Sequence, residues 1–119
     1  MKLLAALLLP IAAWAGNAEQ GRAIATASAE ASCILCHAIP GARGPAGNIG
    51  PPLAGVGARL RPEELKARIV DASRINPETV MPPYGRTGGL HQVAARYRGK
   101  PLLTPGQIDD VVTFLLTLQ

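Results

Sequence analysis

Aromatic side chains are scarce: Trp14, Tyr84, Tyr97 and Phe114 are the only ones in 119 residues, 3% of the chain. Such residues usually supply much of a small core's buried area, so another large apolar body is needed to fill this one. The chain is also too short to hold a dinucleotide-binding domain together with a substrate domain, which excludes a large self-sufficient metabolic enzyme. Only two cysteines and two histidines are present. A zinc site of paired Cys/His ligands would want a second pair, and only His91 stands apart from the first group. No strand-length run of alternating or β-branched residues precedes the cysteines, so the strand-to-helix setting of a thioredoxin-like dithiol is missing. With 12 basic and 8 acidic side chains the net charge is +4, too modest to suggest a nucleic-acid partner.

Long apolar runs are missing except at the start, where Lys2 precedes Leu3-Leu4-Ala5-Ala6-Leu7-Leu8-Leu9-Pro10-Ile11-Ala12-Ala13. This run falls short of the ~20 residues a membrane-spanning helix needs. Ala13-Trp14-Ala15 supplies small residues at the spacing of a signal-peptidase site. Residues 1–15 are therefore expected to be a signal peptide, with a single domain over 16–119 and a periplasmic destination. The alternative is a retained apolar anchor. Cleavage after Ala15 removes Met1 and Trp14, leaving Met81 as the only methionine.

What is present is concentrated in Cys33-Ile34-Leu35-Cys36-His37. Cys-x-x-Cys-His is the spacing of c-type haem attachment, in which both thiols add to haem vinyl groups and the adjacent imidazole reaches the iron. Export agrees, since bacterial c-type haems are attached outside the cytoplasmic membrane. A structural disulfide across two residues would close too short a loop to stabilise much. A covalently bound macrocycle would fill the space that aromatic residues leave. It would also consume both thiols, leaving none for nucleophilic chemistry.

Iron held by His37 can be left open for a small ligand or closed by a second side chain. Met81 lies in Thr79-Val80-Met81-Pro82-Pro83-Tyr84-Gly85, where two prolines hold the chain out of a helix. We assign Met81 as the second ligand. Its alternative role is a gap-filling core residue. His91, in the glycine-containing stretch Thr87-Gly88-Gly89-Leu90-His91, is the rival ligand and reads as a surface histidine. Gly50-Pro51-Pro52-Leu53-Ala54-Gly55 cannot form regular helix, so its carbonyls are free to accept from outside donors. A ligating histidine donates its second ring N–H to such an acceptor, and Pro51 is favoured here.

The elements read as all-α. A helix is expected over 17–32, then a Gly/Pro-rich loop over 40–57 able to wrap a flat cofactor. Arg61-Pro62-Glu63-Glu64 starts a second helix, with Leu65, Ile69 and Ala72 as its buried stripe. A short helical piece is expected over 93–97. Thr104-Pro105-Gly106-Gln107 is a capping box that starts the last helix, whose apolar face is Ile108, Val111, Val112, Leu115 and Leu118. The basic residues Arg59, Arg61, Arg68, Arg74, Arg86, Arg96, Arg98 and Lys100 read as an ordinary solvated surface, with steering of acidic partners as the alternative.

Together, the helix before Cys33-x-x-Cys36-His37, Gly50-Pro51-x-Leu53-x-Gly55, the Met81-Pro82 loop and the C-terminal helix resemble the class I cytochrome c family. The resemblance implies one covalent haem c inside a helical domain with long irregular loops. It also implies Pro51 as hydrogen-bond acceptor for His37 and Met81 as distal ligand. More narrowly, Ile69-Val70-Asp71, Asn76-Pro77-Glu78-Thr79-Val80-Met81-Pro82-Pro83-Tyr84 and Leu102-Leu103-Thr104 are similar to the SoxX family. SoxX is the monohaem cytochrome subunit of SoxAX complexes in sulfur oxidation. This implies a heterodimer with a SoxA-type subunit, conjugation of thiosulfate to a cysteine of the SoxYZ carrier at a SoxA haem, and a downstream electron-acceptor cytochrome. This chain's part would be non-catalytic electron transfer. The other readings are a free-standing periplasmic electron shuttle and, more weakly, an open-iron sensor. A partner face should show as an apolar patch near the haem edge.

Overall fold

The computed structural model describes residues 14–119. Among them are the α-helices α1 (Ala18–Ala27), α2 (Val56–Arg59), α3 (Pro62–Asp71) and α4 (Pro105–Leu116). Single 3-10 turns lie at Cys33–Leu35, Ala72–Arg74 and Ala95–Tyr97, and no strand occurs among the described residues. The expected all-α architecture is the observed one. The expected signal peptide lies almost wholly outside the described residues. Of its last two residues, Trp14 is seated over Lys66, whose Nζ is 5.5 Å from the indole centroid. No described helix is long and apolar enough to cross a membrane.

Helix α4 is the centre of the packing, and its start follows from sequence. Thr104 Oγ1 accepts from the Gln107 N–H at 3.2 Å, while Gln107 Oε1 accepts from the Thr104 N–H at 2.9 Å. These two bonds satisfy backbone donors that a helix start otherwise leaves unpaired, and Pro105 costs nothing at a position whose N–H has no helical partner. Ile108, Val111, Val112, Phe114 and Leu115 are buried along its inner faces. At about 1.5–3 kcal/mol for each such side chain fully removed from water, this is the largest apolar contribution of any helix among the described residues. Leu118 is only half-buried, beyond the helix end.

Helix α3 starts with Pro62 in the first turn and Glu64 accepting from the Arg61 N–H at 2.8 Å. Its stripe of Leu65, Ile69 and Ala72 is buried as expected. Helix α1 is shorter than expected, ending at Ala27 rather than Ser32. The Ser28 hydroxyl donates to the Ile24 carbonyl at 2.9 Å and accepts from the Ala31 N–H at 3.0 Å. Those bonds offer the backbone a non-helical alternative, and Ser28 turns extended. Ile24, the largest apolar side chain of α1, is only half-buried. The intimate contact comes from Gly21 instead, where a Cβ would run into the Asp110 carbonyl. Helices α1 and α4 thus cross at backbone distance. The loop after the first 3-10 turn is irregular up to Gly55, the N-cap of α2, which begins at Val56 within the stretch expected to be loop.

Candidate functional site

The 3-10 turn at Cys33–Leu35 gathers the pentapeptide. Its carbonyl at Cys33 accepts from the Cys36 and His37 N–H groups, at 3.1 and 2.9 Å. The Gly/Pro-rich loop then folds back along the motif: Gly47 N–H donates to the Ile34 carbonyl, Gly50 N–H to Cys36 and Leu53 N–H to Ala38, at 2.9, 2.8 and 2.8 Å. This return brings the Pro51 carbonyl to 2.6 Å from His37 Nδ1. A carbonyl can only accept, so Nδ1 carries the proton and Nε2 keeps its lone pair for a metal. Gly50 is required by the same approach, because a Cβ there would enter the imidazole ring.

His37, Cys33, Pro51 and Met81 all line one cavity of about 480 Å³, within the usual range for cofactor pockets. Its walls are apolar, with Leu53, Val56, Leu65, Ile69, Leu103 and Leu115 among them. Cys36 and Met81 border an adjoining recess with Leu35, Ile49 and Val80. Met81 is half-buried, and its N–H donates to Thr79 Oγ1 at 3.2 Å. His91 is exposed and lines neither cavity.

Burial pushes the Cys33 thiol up to about 11, its own backbone offsetting only part of the effect and the Cys36 thiol adding to it. Such a thiol is protonated at neutral pH and a poor nucleophile, which counts against a redox dithiol. Among the described residues no group of three or more His, Cys, Asp and Glu converges on a point, which counts against zinc. An apolar cavity of this size beside free thiols and a preoriented imidazole fits a haem.

The cytochrome c family model matches residues 18–119. The chain belongs to the cytochrome c family. A chain in the crystal structure titled SoxXA from P. pantotrophus is 35% identical and superposes with a TM-score of 0.76, covering 87% of this chain and 82% of that one. No curated protein matches the chain at a significant level. The likeness to SoxXA supports the narrower resemblance to SoxX, and the family membership gives the cofactor as covalently attached haem c. This cytochrome c is thus an electron-transfer domain.

Two cavity residues were not singled out from sequence. Arg59 and Arg68 line the otherwise apolar pocket, although they read as ordinary surface. Arg59 donates to the Ala54 carbonyl at 2.6 Å and to Pro52 at 3.4 Å, bracing the loop that carries the Pro51 acceptor. Haem carboxylates would find their countercharge there. The only sequence signal was cation placement within reach of the Gly-Pro segment and on the cavity side of α3.

Proposed function

We propose that this chain is the periplasmic, SoxX-type electron-transfer subunit of a SoxAX complex, released from its signal peptide after Ala15. The complex conjugates thiosulfate oxidatively to a cysteine of a SoxYZ-type carrier. The observation that carries the site assignment is that Cys33, His37, Pro51 and Met81 meet at one apolar cavity. The kinship to SoxXA at 35% identity carries the partner. Cys33 and Cys36 would hold the haem through thioether bonds, and His37 and Met81 are the residues that would ligate its iron.

Bound haem supplies a one-electron couple. The residues around it do the rest. Pro51 fixes the His37 tautomer and ring orientation. Met81 would close the iron against small ligands and raise its potential. The apolar walls keep water from the couple. Forming the sulfur–sulfur bond between a thiol and thiosulfate releases one proton and two electrons, and this chain accepts the electrons singly and passes them on. It has no thiol left to hold thiosulfate itself.

Leu35, Ile49 and Val80 are 71%, 68% and 77% exposed beside Cys36 and Met81, an apolar patch of the kind a partner covers. This supports a subunit over a free shuttle. The test is to purify the mature protein from its native periplasm and identify what accompanies it. A SoxA-type diprotein complex, with thiosulfate-dependent modification of the carrier when all parts are mixed, is expected. Recovery as a monomer, together with no activity on adding a SoxA-type subunit and carrier, would leave the electron shuttle as the better account.

A further inference from the structure

Among the described residues Asp71 is the one charged residue buried in the core, at 4% exposure, and nothing in the electron-transfer role uses it. Its carboxylate is fully engaged. Oδ1 accepts from the Ser73 N–H at 3.1 Å and the Ser73 hydroxyl at 2.5 Å. Oδ2 accepts from Arg86 Nη1 at 3.2 Å, and Arg74 Nε lies 3.8 Å away. A buried carboxylate is costly unless every lone pair finds a partner, so this arrangement holds its partners in place.

Those partners are the two stems of one loop. Ser73 lies in the 3-10 turn Ala72–Arg74, which leads toward Met81, and Asp71 caps that turn. Arg86 lies just beyond Pro82, Pro83, Tyr84 and Gly85, on the way out. Next to Asp71 the returning limb of the loop is pinned to the end of α3, with Tyr84 N–H donating to the Ile69 carbonyl and Gly85 N–H to Val70, at 3.2 and 3.0 Å. Arg86 Nη1 also reaches Ser73 Oγ at 3.4 Å, so the stems touch each other as well as the carboxylate.

We propose that Asp71 is the clasp of the Met81 loop, a positioning residue whose carboxylate ties Ser73 to Arg86 and so keeps Met81 on the iron. This rests on the reading of Met81 as the axial ligand. Inside the loop the remaining bonds are local, such as Thr79 N–H to the Asn76 carbonyl and Met81 N–H to Thr79 Oγ1. They shape the loop without fastening it to the body. Without the clasp the returning limb keeps its backbone bonds at Tyr84 and Gly85 but the Ser73 limb is no longer tied to it, so the stretch between them opens more often and Met81 would leave the iron accessible to ligands in solution.

The experiment measures imidazole binding to the ferric mature holoprotein, since imidazole can bind only while Met81 is off. Asp71→Asn is expected to speed binding about tenfold, as one lost charged hydrogen bond shifts the opening equilibrium. Ser73→Ala and Arg86→Met should speed it by smaller factors, and Arg86→Lys should retain most of the protection. Gln107→Ala, which removes half of the distant α4 capping box, lowers the melting temperature and should leave imidazole access unchanged. If Asp71→Asn does not fold, the Ser73 and Arg86 variants carry the test. Unchanged access in the clasp variants, or equal acceleration in Gln107→Ala, overturns the clasp while leaving the ligand intact. A wild-type ferric protein that lacks the methionine-to-iron charge-transfer band and takes up imidazole at once overturns the Met81 reading, and the clasp with it.

Discussion

The two sides of the haem cavity are built differently. On the His37 side every contact that orients the imidazole comes from a short span of chain: the Cys33 carbonyl, the Gly50 and Leu53 N–H groups and the Pro51 acceptor. On the Met81 side the loop is anchored at a distance. The distant anchor is the Tyr84 hydroxyl, which donates at 3.2 Å to the Ala31 carbonyl 53 positions away, while the bonds from Leu103 N–H to the Tyr84 carbonyl, at 3.0 Å, and from Arg86 to Asp71 close spans like those on the His37 side. Locally closed structure costs little loop entropy and reforms readily, whereas distant anchors hold only while the whole fold holds. The proximal side should therefore survive perturbation longer, with ligand exchange confined to the methionine side.

The largest effect expected on this comparison is from Cys33→Ser with Cys36→Ser. The variant should lose all covalently retained haem, seen as the absence of haem absorbance after denaturing extraction, because no thioether can form. Retention of haem in the double variant would remove the foundation of the proximal side. Next, Met81→Ala should abolish the methionine-to-iron band and lower the reduction potential on the order of 0.1 V, a fraction of the ~0.8 V that axial ligands command. An unchanged spectrum would show that the distal side is not built around Met81. Gly50→Ala comes third. Its Cβ enters the His37 ring, so thermal stability should fall by about 1–3 kcal/mol from overpacking, with the imidazole displaced from Pro51.

The smallest effect is with pH. The Ser73 hydroxyl, followed by the Ser73 N–H and the Arg86 guanidinium, holds the Asp71 carboxyl below the usual carboxylate range against the opposing effect of burial. A native pKa below the unfolded one means that the stabilisation is complete above about pH 4 and is lost as pH falls through the lowered native value. Acid titration of the methionine-to-iron band should accordingly show a loss that Asp71→Asn makes independent of this step. Persistence of the same acid limb in Asp71→Asn would assign it to another group.

Much of the architecture is legible in the residues themselves. Thr104 through Gln107 start α4 because a hydroxyl and an amide three residues apart can satisfy each other's backbone donors, and that is local chemistry. Leu65, Ile69 and Ala72 follow the helical period, so their burial on α3 could be read in the same way. The end of α1 was less legible, because Ser28 can either continue a helix or hydrogen-bond out of it, and the competition is settled by packing. Gly21 carried no signal at all, since its value lies in the Asp110 carbonyl that comes against it from the far end of the chain. Arg86 reads as one more surface cation in a row of basic residues. Its meeting with Asp71 depends on how the loop turns back on α3.

The sequence by itself determined the attachment chemistry, because Cys33, Cys36 and His37 act within one turn and their spacing is fixed by covalent geometry. It also determined the capped helix starts and the scarcity of aromatic residues that calls for another apolar body in the core. Only the tertiary structure decided which carbonyl meets His37, that Met81 lines the same cavity, that Arg59 and Arg68 border it, and that a buried carboxylate joins both stems of the Met81 loop. These are contacts between residues far apart along the chain, and no local propensity or spacing encodes where two distant segments come to rest against each other.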